Sequence, residues 1–188
     1  MTNNTADKPW DVLQTQSALD HSYVKVAVEK DNIPDGQVVP EWPKIYTNDY
    51  VNAVVFNENN EAMVMEAYKH ETGWASWQLP GDYLQEGENP ISTIQQTLAT
   101  ETGYHTNHWI YLGSYVVDPN RHVGVGHFFC ALGAKVAKSA NQLTKNVDIK
   151  WMPLSELRYA LLDGRIASLS HAIAVSLSLL TVMQQTSD

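Results

Sequence analysis

Cysteine is nearly absent from this chain. Cys130 is the only one in 188 residues, so no intrachain disulfide can form. Its setting, HFFCAL, reads as a buried strand and therefore as a core cysteine rather than a nucleophile. Basic runs are missing too. Twelve Lys and Arg stand against twenty-one Asp and Glu, a net charge of −9. That balance argues against duplex nucleic acid and anionic membrane as partners, since both reward basic patches. No long apolar run is unbroken: Ile166 to Met183 is interrupted by Ser168, Ser170, His171, Ser176 and Ser178. It reads as a buried or dimer-facing helix, not a membrane span. The opening MTNNTADKP lacks the basic-then-apolar layout of a signal peptide, so a cytoplasmic setting is expected. Seven histidines form no convincing metal-ligand cluster, and His122 and His127 read as strand residues. Internal repeats and low-complexity segments are also lacking.

What is present is ordinary globular material, 44% hydrophobic and 18% charged, enough for one domain with appended elements. Residues 1–9 are expected to be a disordered tail. Residues 10–46 suggest a strand-rich subdomain with a turn at Pro34-Asp35-Gly36. Tyr50–Phe56 and Ala62–Tyr68 are apolar runs joined by NENNE, a hairpin pattern. Further strands are predicted near 109–117, 124–134 and 147–152, and helices near 154–163 and 168–184. Strands around a central helix, with helices at the end, predict an α/β sandwich over residues 47–188.

The stretch from Gln78 to Tyr104, QLPGDYLQEGENPISTIQQTLATETGY, is the most informative. A helix near 90–102 is well specified. Asn89 suits the N-cap and Pro90 the first helical position. Ile91, Ile94 and Leu98 form an apolar stripe, and Gly103 fits a left-handed C-terminal cap. Thr93, Thr97, Thr100 and Glu101 share a different face.

This stretch resembles a Nudix box. The family pattern is Gly, five residues, Glu, seven residues, then Arg-Glu-aliphatic-x-Glu-Glu-x-Gly-aliphatic. Glu88, Leu98, Glu101 and Gly103 fill their slots. Asp82 replaces Gly, Gln96 replaces Arg, and Thr97 and Thr100 replace two Glu. The flanks YVNAVVFNENNEAMVMEAYKHETGWASWQLPGD and WIYLGSYVVDPNRHVGVGHFFCALGAKV, with the closing WMPLSELRYALLDGRIASLSHAIAVSLSLL, resemble the ADP-ribose pyrophosphatase branch. The likeness runs over roughly residues 22–183.

The resemblance implies a Nudix-type α/β/α sandwich, a homodimer paired through residues 10–46, and Mg²⁺-dependent cleavage of a nucleoside diphosphate-linked small molecule. It places Gly81 and Glu101 as metal ligands. Lys69, Trp77 and Arg121 are the expected substrate-binding residues, with Trp42, Tyr46 and Trp74 as further stacking candidates. For each aromatic alone, core or dimer packing is the simpler account, whereas for Arg121 a surface ion pair and a phosphate contact weigh about equally. Catalytic residues are not assigned. In this branch a loop Glu before the Trp-x-Pro-Leu segment often acts as base or ligand. Here SANQLTKNVDIKW has only Asp148, with Lys145 and Asn146 nearer the slot.

Carboxylates matter because a diphosphate brings about two negative charges that metal ions must neutralise while activating water. Mg²⁺ takes oxygen ligands, commonly one or two carboxylates with waters. Threonine hydroxyls are neutral and weak in that role. Two readings follow: a hydrolase of nucleoside diphosphate sugars whose activity is weak or lost, or a non-catalytic nucleotide-binding or dimeric regulatory module.

Overall fold

The computed structural model describes residues 8–70, 72–121, 123–137 and 148–185. Most of the expected tail, His122, Lys145 and Asn146 lie outside the described residues. The chain divides into two compact units: residues up to Asn48 with Val116–Val125, and Asp49–Tyr115 with Gly126 onward.

The first unit is built on a three-stranded antiparallel sheet of β1 (Asp11–Asp20), β2 (Val24–Asn32) and β3 (Val38–Thr47), in that order. The β2–β3 connection turns where Pro34-Asp35-Gly36 predicts it. Gly36 takes a left-handed φ of 86° and its N–H donates to the Ile33 carbonyl at 2.9 Å. At the β3 edge, the Ile45 N–H donates to the Arg121 carbonyl at 2.7 Å. β1 is exposed along its whole length.

The second unit holds β4 (Tyr50–Asn57), β5 (Ala62–Lys69), β6 (Trp74–Gln78), β7 (Gly81–Tyr83), α1 (Pro90–Thr102), β8 (Tyr104–His105), β11 (Ile149–Met152), α2 (Leu154–Ala160) and α3 (Leu169–Gln185), with most of the hairpin β9 (His108–Asp118) and β10 (Val123–Val136). The sheet path is β11-β5-β4-β10-β8; β6 joins β5, β7 joins β4 and β9 joins β10. β4 and β10 run parallel, making the sheet mixed. Asn57 closes the β4–β5 hairpin: its side-chain oxygen accepts from Asn59 and Glu61 N–H at 2.8 and 2.9 Å, and Asn60 adopts φ 59°. Asn tolerates that left-handed geometry better than most residues.

Alternation along β4 explains the layers, because successive strand side chains point to opposite faces. Val51, Ala53 and Val55 pack with Ile94 and Leu98 of α1. Val54 and Phe56 pack on the other face with Leu157 of α2 and Ala174, Val175 and Leu179 of α3. The result is an α/β/α sandwich. Cys130 lies fully buried in the second of these clusters, and burial pushes its thiol pKa up to about 11. Among the described residues, no helix is long and apolar enough to cross a membrane.

Candidate functional site

The box folds as its residues dictate. The Asn89 side chain accepts from Ile91 and Ser92 N–H at 3.1 and 3.4 Å, and Pro90 begins the helix. Gly103 ends α1 at φ 72°, donating its N–H to the Ala99 carbonyl at 3.1 Å. Ahead of the helix, β7 pairs with the start of β4, setting Gly81 opposite Asn52 and Asp82 opposite Val51. Gly81 has a spatial reason to be glycine, since a Cβ there would lie 2.6 Å from the Val51 carbonyl oxygen and collide with the Asn52 amide. The box loop is held by its own carboxylates. Glu88 accepts from the Gln85 N–H at 2.8 Å, and Asp82 from the Tyr83 N–H at 2.8 Å.

On the helix face where the family pattern has three Glu, the Thr97 hydroxyl donates to the Thr93 carbonyl at 2.9 Å and the Thr100 hydroxyl to the Gln96 carbonyl at 2.9 Å. Thr97 is buried, at 4% exposure. Thr100 is exposed and Glu101 half-buried. Both hydroxyl protons are thus spent on the helix backbone, and Glu101 is the one anionic group left at these three positions. Among the described residues no three His, Cys, Asp or Glu side chains gather where they could hold a metal ion. Glu101 and the Gly81 carbonyl offer one anionic ligand where the family pattern offers three, a set too weak in charge to hold Mg²⁺ without waters and a substrate's own phosphates. That donor set does not fit a metal ion held by these two groups alone.

Trp77 is buried on β6 facing the α2–α3 layer. The Arg165 guanidinium covers its ring at 4.5 Å from the centroid, so that face is not open for a base to stack on. Arg165 in turn bonds Glu156 at 2.8 Å and Asp163 at 2.7 Å. Lys69 ends β5, exposed, and its ammonium lies close enough to His171 to act on that residue's titration. Burial first, and Lys69 second, hold the His171 pKa down at about 4, against an opposing hydrogen bond to the Trp77 backbone. Arg121 belongs to the first unit, where its guanidinium bonds Asp118 at 2.8 Å. That Arg121 hydrogen bond holds the Asp118 carboxyl below the usual range, and Asp118 also accepts from the Asn120 and Arg121 N–H groups. Trp42 donates its indole N–H to the Asn120 carbonyl at 2.8 Å and meets Trp10 edge-on. Tyr46 donates to Glu29 at 3.2 Å.

A cavity of about 410 Å³ opens on the α1 side of the sheet, lined by Asn89 and Ile91 of the helix start and by Trp109, Tyr111, His127 and Phe129 of β9 and β10. Reading the sequence missed it. The signal was the alternation of Trp109 with Tyr111 and of His127 with Phe129, which puts each pair on one face.

Residues 47–172 match the NUDIX domain family, more than half of the chain, and the protein belongs to that family. It is 25% identical over 156 residues, 83% of this chain and 75% of the relative, to a CMP-5'-(N-acetyl-N-hydroxy-3-aminopropyl)phosphonate hydrolase of Streptomyces rubellomurinus. It is 26% identical over 165 residues, 87% of this chain and 89% of the relative, to a methanol dehydrogenase activator of Bacillus methanolicus. The crystal structure of an ADP compounds hydrolase superposes with a TM-score of 0.80 at 14% identity, covering 95% of this chain and 96% of that one. At that identity the likeness is one of fold.

Proposed function

We propose that this Nudix protein binds a small molecule linked through a nucleoside diphosphate, and that it hydrolyses ADP-ribose-type diphosphates weakly or not at all. The observation that carries this reading is the α1 face. Thr97 and Thr100 turn their hydroxyls onto helix carbonyls, leaving Glu101 to supply alone the charge that three carboxylates supply in the family pattern. A charge–charge contact at ~4 Å is worth about 4 kcal/mol at an effective dielectric of ~20, before desolvation is subtracted. A loss of about 4 kcal/mol of transition-state stabilisation is roughly a thousandfold in rate.

Family membership supports the second reading, a hydrolase in which Glu101 and the Gly81 carbonyl share a metal with Asp82 or Glu86. The relatives fit both readings, one being named a hydrolase and the other an activator. A cytoplasmic homodimer, paired through the first unit's strands, completes the proposal.

Isothermal titration with ADP-ribose, with and without millimolar Mg²⁺, followed by turnover assays on any ligand that binds, separates the two. Saturable binding without turnover supports the first. Ordinary enzyme rates abolished by Glu101→Ala would establish the second.

A further inference from the structure

We infer that the cavity beside the start of α1 is a nucleobase site, taking a planar heteroaromatic ring that carries acceptors on its edge. This rests on the reading that the ligand is nucleoside-linked, and it adds where the base is held. The cavity's volume, about 410 Å³, falls within the range of small-molecule sites. Its walls suit a flat ring. Trp109 and Tyr111 stand on β9 and Phe129 on β10; Tyr111 meets Phe129 at 5.3 Å between centroids and Trp109 meets it edge-on at 6.4 Å. The Trp109 indole N–H is tied to the Thr106 carbonyl at 2.9 Å, which fixes that ring before any ligand arrives. Tyr111 remains 56% exposed, a large aromatic surface that a stacked ring would cover.

Two polar groups decide the chemistry of the ring. Asn89 already spends its side-chain oxygen on the helix cap, so its amide NH₂ is the donor it has to offer. His127 is mostly buried at the cavity wall, its Nε2 4.0 Å from the Asp49 carboxylate, and a neutral imidazole brings one donor and one acceptor to that wall. A hydrocarbon ring would strip water from both groups and return nothing, a desolvation loss. A ring with carbonyl or ring-nitrogen acceptors returns hydrogen bonds. Stacking faces with an edge that donates are what a nucleobase needs.

The site lies at the end of the box helix away from its acidic position. Ile91 and Glu101 are ten residues apart on α1, about 15 Å along the axis at ~1.5 Å per residue. Base and acidic position therefore stand at opposite ends of one helix.

Saturation-transfer NMR and calorimetry of the full chain with adenosine and with cytidine, neither carrying a diphosphate, test the site. The expected result is saturable binding, weakened about tenfold by Tyr111→Ala. The same loss is expected for His127→Ala, and none for Tyr159→Ala, an exposed aromatic on α2. No saturation by either nucleoside, binding indifferent to Tyr111→Ala, or benzyl alcohol binding as tightly as the nucleosides would each overturn it. ADP-ribose binding without nucleoside binding would sink this site and leave the proposed function standing; nucleoside binding without ADP-ribose binding would do the reverse.

Discussion

The Arg165 guanidinium lies 4.5 Å from the centre of the Trp77 indole, and the Trp77 N–H donates to the Arg165 carbonyl at 2.7 Å. The side chain and the main chain of one residue thus clamp another. Because Arg165 also bonds Glu156 on α2 and Asp163 beyond it, the clamp joins β6 to the helical layer. Arg165→Ala is expected to lower the melting temperature by several degrees and to shift tryptophan emission, while Arg165→Lys restores part of the loss. Unchanged melting and emission would show that the clamp has no thermodynamic role.

His171 makes stability depend on acid. Its folded-state pKa of about 4 lies below the ordinary value of 6.5, so between these values the unfolded chain takes up the proton more readily. Stability is complete above about pH 6.5 and falls as the pH drops towards 4, by on the order of 3 kcal/mol for the full shift. Denaturant melts of the wild type and His171→Leu across that window should show the variant's profile flatter. Parallel profiles would rule out His171 as the source.

Restoring the family's carboxylates should be unequal in cost. Thr100 is exposed, and Thr100→Glu is expected to change stability by less than about 0.5 kcal/mol. Thr97 is buried, so Thr97→Glu places an unpaired charge in the interior and costs on the order of 3 kcal/mol. In the double variant, millimolar Mg²⁺ should recover part of that loss, since an ion bound only by the folded state stabilises it. Melting curves with Mg²⁺ and with chelator measure both effects.

The edge strand β1 carries Val12, Leu13 and Leu19 exposed, and a free strand edge is a template for pairing with another chain. Sedimentation should find a dimer at micromolar concentration. Val12→Lys with Leu19→Lys should shift it to monomer. A wild-type monomer would refute pairing through this sheet.

The helix of the box was legible to the residue because its signals are local: Asn89, Pro90, the Ile91–Ile94–Leu98 stripe and Gly103 each act within one turn. The β4–β5 hairpin and the Pro34–Gly36 turn were legible for the same reason. The surroundings of Trp77 were not, since Arg165 reaches it from eighty-eight residues away in sequence, and only the fold brings cation and ring together. The burial of Thr97 was also hidden, because a threonine reads as polar surface until a neighbouring element covers it.

The back-bonded threonines of α1 bear on ion economy. A helix face crowded with carboxylates repels itself, by roughly 0.2–0.5 kcal/mol per like-charge pair, and a counter-ion relieves that repulsion. Here the hydroxyls of Thr97, Thr100 and Thr102 all turn to carbonyls of the preceding turn, and Glu101 has no second acid among them. The box of this protein is therefore expected to keep its fold without divalent cations, which a wild-type melting curve unchanged by chelator would check.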